Sequence, residues 1–394
     1  MMQSQRIHIF NGQFLLKDRI LKGGSLLLED GMIIGMEAGN VEFPDAISID
    51  AGMNFVSPGF IDIHVHGGGG ADFMDGDTDA FLKAASFHAK HGTTSMMPTT
   101  LTSDKENILH TIATYEKASA INTNGASFIG LHLEGPYFSM NQRGAQDPAH
   151  IRDPDPAEYM DILQHTDAIK RWSAAPERKG AIEFGRVLRR RGILPSMAHT
   201  DAIYEEALEA FENGYTLLTH FYSAMSGVTR KNAYRYAGVI EAGYLHDGLD
   251  VEIIADGTHL PAPLLKLIFK IKGPDHIALI TDAMRGAGMP DGLSTLGNRD
   301  TGMQVLIEDG VAKLPDRTAF AGSVATADQL IRNMIRMADV PVQDAVRMMT
   351  ATPARIMGLD NRIGELKAGM DADINIFDAS INICSTFIKG KPVS

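Results

Sequence analysis

Short apolar runs alternating with longer helical stretches predict an α/β chain: a (β/α)8 TIM-like barrel with a small β-sandwich domain formed by both chain termini. The runs are FIDIHVHG (60–67), TSMMPTT (94–100), SFIGLHLEG (127–135), ILPSMAHT (193–200), TLLTHF (216–221), VEIIADG (251–257) and HIALITDA (276–283). Each has the length and apolar content of a buried strand. Helical stretches such as 104–120 and 202–214 lie between them. Strand followed by helix, repeated, means βα units on a parallel sheet. Seven such runs, with an eighth strand expected before Gly322, close a barrel rather than an open sheet. The two ends read differently. Residues 6–56 alternate in polarity around hairpin signals, Asn-Gly at 11–12 and Asp-Gly at 30–31. The segment from Gly364 onward has no helical period. The expected division is a β domain of residues 1–57 plus 360–394 and a barrel of residues 58–359. A chain of 394 residues suits one large α/β barrel with one small domain.

Composition narrows the function classes. The formal net charge of −13 argues against a nucleic-acid partner, whose phosphates need a basic face. An anionic small molecule then needs a local cationic pocket. No run approaches the ~18 apolar residues of a membrane helix, so no membrane partner is expected. The start, MMQSQRIHIFNGQF, lacks a signal peptide's apolar stretch, and the single cysteine, Cys384, fits a reducing compartment; a cytoplasmic location is expected. The 21 methionines read as adaptable core filling.

Chemistry concentrates at the C-terminal ends of the apolar runs, the face on which α/β barrels build their sites. His64 and His66 are two apart on a strand, so both imidazoles point the same way and can share a metal ion. Alone, such a pair reads equally well as two satisfied polar side chains. In LHLEGPY, His132 and Glu134 share one strand face. A carboxylate aimed into a barrel mouth must bind metal, hydrogen-bond or pair with an arginine. His132 reads as a structural residue behind the ligands. His199 and His220 each end a run, and two successive strands ending in histidine strengthen the metal reading. Imidazole and carboxylate donors suit Zn2+ or Fe2+. Asp282 ends another run, either as a helix N-cap or as a base beside a metal-activated water. Asp256 and His259 fit the same architecture, with His259 placed to polarise a carbonyl or hold a hydroxyl. Arg230, Lys231 and Arg235 cluster within 229–238, as a solvated cationic face or as an anion site.

In order, PGFIDIHVHG, LHLEGP, AHTDA, THFYSAM, ADGTHL, LITDAM and AGS resemble the amidohydrolase superfamily, and within it the N-acetylglucosamine-6-phosphate deacetylase family. The resemblance spans essentially the whole chain. It implies Glu134, His199 and His220 as main metal ligands and Asp282 as general base and acid. His64 and His66 match a second metal position that some members lack, so one or two divalent ions per subunit are implied. His259 would contact the substrate. Arg230, or Lys231 beside it, would grip a sugar phosphate, in the family often from the neighbouring subunit, which implies a homodimer. Ala145 and Ala321–Gly322–Ser323 would line the sugar pocket. The family commonly has Asn-Ala-Met where this chain has Ser223–Ala224–Met225, so the phosphate contact there would fall to a shorter hydroxyl. The implied activity is deacetylation of the phosphorylated amino sugar. The alternatives are hydrolysis of another N-acyl or cyclic amide and a non-catalytic assembly module. The latter would be expected to have lost its ligands, and here all are present.

Overall fold

The computed structural model describes residues 6–39, 41 and 43–393. Its centre is a parallel barrel of β1 (Phe60–Val65), β2 (Thr93–Thr100), β3 (Leu131–Glu134), β4 (Ile169–Ala174), β5 (Leu194–Met197), β6 (Leu217–Leu218), β7 (Asp250–Ile253) and β8 (Ile277–Leu279). Successive strands pair in that order. The ring closes between its last and first members. The Asp282 amide donates to His64 O at 2.9 Å, the His66 amide to Ala283 O at 2.9 Å, and Thr281 Oγ1 to Asp62 Oδ2 at 2.5 Å.

Alternation along the strands explains why these segments fold this way. Leu131 and Leu133, Trp172 and Ala174, and Val251 and Ile253 join the large core shared with the surrounding helices. The intervening residues, His132, Glu134, Arg171, Ser173 and Glu252, are buried polar groups on the opposite face. Helices follow the strands, and three are opened by aspartates whose side chains accept from the first turn: Asp77 before Thr78–Ala89, Asp104 before Lys105–Ile121 and Asp155 before Pro156–His165. The helical stretches expected at 104–120 and 202–214 are found as Lys105–Ile121 and Tyr204–Glu212.

One strand assignment is corrected. The segment before Gly322, Phe320–Ser323, is the last member of a four-stranded antiparallel sheet with Gly292–Leu296, Met303–Glu308 and Val311–Lys313. It pairs with the chain after β8 through an isolated bridge between Ser323 and Ala283. The missing barrel strand is β4, IKRWSA, whose Lys170–Arg171 pair breaks the apolar run. Lys170 is exposed, whereas Arg171 is wholly buried and paired inside the barrel.

Both termini join in one separate sheet. Its order is Lys391–Pro392, Ile383–Ile388, Ile374–Phe377, Phe55–Pro58, Arg6–Leu15, Ile20–Glu29 and Met32–Ala38, with Ile47–Asp50 also on Arg6–Leu15. Its own apolar cluster includes Ile9, Phe14, Leu26, Val56 and Ile374. Of the residues assigned to the terminal β domain, 1–5, 40, 42 and 394 lie outside those described. No helix among the described residues is long and apolar enough to cross a membrane.

Candidate metal centre

Six predicted residues converge at the C-terminal mouth of the barrel. Glu134, from the end of β3, is at their centre: Oε1 lies 3.0 Å from His220 Nε2 and 3.5 Å from both His199 Nε2 and His64 Nε2. Its Oε2 lies 3.3 Å from His66 Nε2. Asp282 Oδ1 faces the His-x-His pair at 3.2 Å from His66 Nε2 and 3.5 Å from His64 Nε2. The donor atoms fall into two metal-competent groups, His64–His66–Glu134 and Glu134–His199–His220, each within 4.8 Å and sharing Glu134.

The imidazoles are oriented from behind. His66, His199 and His220 donate Nδ1–H to backbone carbonyls, Thr99 O at 3.2 Å, Gln142 O at 2.7 Å and Ser223 O at 3.2 Å. With Nδ1 so committed, a neutral ring offers its Nε2 lone pair to the centre, the tautomer a metal ligand requires. The residues present therefore fit a divalent ion with nitrogen and oxygen ligands.

Electrostatics agree with a site made for positive charge. Burial alone would raise the Glu134 carboxyl, but His64 and hydrogen bonds from His199, His220 and His66 hold it well below the carboxylate range. Burial likewise opposes ionisation of Asp282, and the charges of His64 and His66 outweigh it. In return His66, whose burial disfavours its charge, is pushed up to about 10 by Asp282 and Glu134. Two ionised carboxylates among four imidazoles draw in cations, and a metal ion meets that demand with one compact charge.

A cavity of about 520 Å3 opens over the centre. His66, Glu134, His199, His220 and Asp282 form part of its wall, with His259, Ala145, Ser223, Ala224 and Gly322 around them. His259 donates Nδ1–H to Asp256 Oδ2 at 2.7 Å, which leaves Nε2 as its free ring nitrogen. Its ring packs on Phe320 with centroids 4.4 Å apart.

The Amidohydrolase family model matches residues 55–393. The chain belongs to the amidohydrolase family. Members of that family depend on metal, in keeping with the two donor groups of this amidohydrolase. It is 31% identical to an N-acetylgalactosamine-6-phosphate deacetylase of Escherichia coli O157:H7, over 98% of this chain and 99% of that one. It is 33% identical to an N-acetylglucosamine-6-phosphate deacetylase of Bacillus subtilis (strain 168), over 95% and 94% of the two chains. The structure resembles a mutant N-acetyl-D-glucosamine-6-phosphate deacetylase of Mycobacterium smegmatis in complex with N-acetyl-D-glucosamine-6-phosphate. There the TM-score is 0.90 and the identity 29%, with 99% of each chain covered.

Other residues singled out in the sequence lie outside the cavity of this amidohydrolase. His132 stays behind the ligands, bonded to Thr99 Oγ1 at 3.2 Å and Ser173 Oγ at 2.6 Å. Ala321 and Ser323 do not line the cavity with Gly322: Ala321 is buried in an apolar cluster, and Ser323 Oγ donates to Thr281 O at 2.5 Å. Arg230 and Lys231 stand on an exposed hairpin, Thr229–Lys231 against Tyr234–Tyr236, away from the cavity of their own chain. Two contributors had no periodic signal because they sit in the irregular loop after β3. Gln146 accepts from the Thr102 amide and donates to Glu134 Oε2, both at 2.8 Å, and so holds the shared carboxylate. Arg143 is the arginine of the cavity wall.

Proposed function

We propose that this amidohydrolase is a cytoplasmic, metal-dependent deacetylase that converts N-acetylglucosamine 6-phosphate to glucosamine 6-phosphate and acetate. The observation that carries the reading is a shared carboxylate, Glu134, ringed by four imidazoles beneath a sugar-sized cavity, with Asp282 as a second carboxylate beside them. Glu134, His199 and His220 would hold the principal ion, and His64 and His66 with Glu134 would hold a second where two bind, as Zn2+ or Fe2+. A bound ion supplies the Lewis acid that makes water a nucleophile near neutral pH.

The chain's own groups do the rest. Asp282, kept ionised, takes the proton as water adds to the acetamide carbon, then gives it to the nitrogen as the C–N bond breaks. His259, steadied by Asp256, directs Nε2 to the carbonyl oxygen or a sugar hydroxyl. Ala145, Ser223, Ala224 and Gly322 bound the sugar, and Ala321 and Ser323 support that wall from behind. Arg143 lines the cavity of its own chain. Arg230 or Lys231, both exposed on their hairpin, reaches the phosphate from the neighbouring subunit of a homodimer. The terminal sheet's own apolar cluster supports a division into a barrel of 58–359 and a β domain of 1–57 with 360–394, joined where Leu15, Phe377 and Ile381 pack into the barrel's core.

A second reading, in which the C4 epimer N-acetylgalactosamine 6-phosphate is the preferred substrate, is favoured by the full-length relative of that activity. Acetate release from the two phosphorylated sugars, their unphosphorylated forms and other N-acyl amides, run beside metal analysis, decides among the readings. The proposal expects bound metal and turnover of the phosphorylated glucosamine derivative in preference to the rest. Metal-loaded protein that releases no acetate from either phosphorylated sugar refutes it.

A further inference from the structure

The interior of an α/β barrel is ordinarily filled by layers of branched apolar side chains. Here the layer beneath the metal centre holds a fully buried ion pair. Arg171 on β4 reaches across the barrel to Glu252 on β7, with Nη2 to Oε2 at 2.8 Å and Nη1 to Oε1 completing a bidentate pair. The guanidinium also donates to Ser196 Oγ at 3.0 Å, Thr219 Oγ1 at 2.8 Å and Ile63 O at 3.2 Å. Ile63 directly precedes His64, so the same arginine grips the strand that carries the His-x-His pair.

Such a pair contributes little to stability. Taking both charges out of water costs about as much as their attraction returns, and apolar residues of similar volume often serve as well or better. Its position is what distinguishes it. Three of the four clustered imidazoles rest Nδ1 on a backbone carbonyl. His64 does not: its Nδ1 has no hydrogen-bond partner within ordinary geometry, and the group facing it is Glu252 Oε2 at 3.5 Å. A carboxylate behind a ligating imidazole fixes its tautomer and raises its basicity more than a carbonyl does. The two-point pairing with Arg171 fixes where that carboxylate sits and which oxygen it turns to His64.

We propose that Glu252, clamped by Arg171 across the barrel, is a positioning residue for His64 and thereby sets the affinity of the His64–His66–Glu134 half of the centre for its ion. The inference rests on the two-ion reading above. Its consequence is unequal: His199 and His220 rest Nδ1 on the Gln142 and Ser223 carbonyls, and the pair reaches that half through the Arg171 bond to Thr219 Oγ1 beside His220.

The test measures ions per chain and the Zn2+ affinity of each, by elemental analysis and chelator competition. Glu252→Gln removes the carboxylate but strands a buried arginine, so the R171M/E252Q double variant, which removes both charges of the pair, is measured beside it. The expected result is two ions in the unaltered protein. In both variants one ion is retained with less than about threefold loss of affinity, and the second is weakened by about 10- to 100-fold. A double variant that binds the second ion as tightly as the unaltered protein, or that loses both ions equally, overturns the inference. So does an unaltered protein that binds one ion only, although the hydrolase reading then survives. An unaltered protein that binds none removes that reading itself.

Discussion

Replacing Asp282 by asparagine isolates proton transfer from every other task of the centre. The backbone there is pinned from both sides, its amide on His64 O at 2.9 Å and its carbonyl accepting from the Ser323 amide at 2.8 Å. Its φ of 47° is a conformation that asparagine tolerates better than most residues. The asparagine Oδ1 can keep the 3.2 Å approach to His66, so fold, placement and metal ligands all persist. What is lost is a group that can accept a proton from water and return it to the leaving amine. General acid–base catalysis contributes roughly 10²- to 10⁴-fold, or about 3–5 kcal/mol of barrier. The expected outcome is a fall in kcat of that size with metal content unchanged, read by acetate release under saturating substrate. An asparagine variant within about tenfold of the unaltered kcat, at full metal loading, refutes the assignment of the base.

His199→Ala should lose both turnover and the principal ion, because it removes one of three ligands and leaves Glu134 and His220 as the remaining pair; retention of both by elemental analysis and assay would count against it. Asp373 is raised from 3.8 to about 6 by burial, against the Lys389 amide that donates to it at 2.8 Å. Between those values the folded chain keeps a proton that the unfolded chain has lost, so stability falls as pH rises through the window, by about 3 kcal/mol in all. Asp373→Asn should abolish that decline in denaturant titrations at pH 4 and pH 7, and an unchanged decline would assign it elsewhere. Lys272 Nζ donates to Gly243 O, His246 O and Leu249 O at 3.0, 3.3 and 2.6 Å. Lys272→Met keeps the stem but strands these carbonyls and should cost about 2–4 kcal/mol by urea unfolding, with less than 1 kcal/mol contradicting the account.

The centre was legible because each of its residues is a polar break at the end of an apolar run: His64 and His66 after FIDI, Glu134 after LHL, His199, His220 and Asp282 after theirs. The same logic concealed its supports. β4 carries Lys170 and Arg171 inside the strand, so its apolar run is broken, and only the distant Glu252 explains how an arginine can be buried there. Glu252 in turn sits inside VEIIADG, where one acidic residue does not disturb the strand reading. Its role depends on a partner about eighty positions away in sequence. Gln146 and Arg143 lie in irregular chain after β3, where no period marks an inward face. The segment ending at Ser323 has the composition of a strand, and local pattern does not distinguish a barrel strand from a neighbouring antiparallel sheet.

Strand ends at this barrel mouth are more than convenient places for ligands. His199, His220 and Asp282 all adopt positive φ, 46°, 33° and 47°, where non-glycine residues are uncommon. Each such conformation costs on the order of 1 kcal/mol or more, and it persists only where surrounding structure holds it. That structure is present: the Ser139 amide donates to His199 O at 2.9 Å, the Ser223 amide to His220 O at 2.8 Å and the Ser323 amide to Asp282 O at 2.8 Å. At these three positions the chain leaves extended geometry and turns its side chain over the mouth instead of along the barrel wall. Four imidazoles and two carboxylates held this close repel or bond one another before any ion arrives, and a relaxed backbone would let them part. The strain is thus carried by the scaffold in advance, so that little reorganisation is left for the moment an ion or substrate binds.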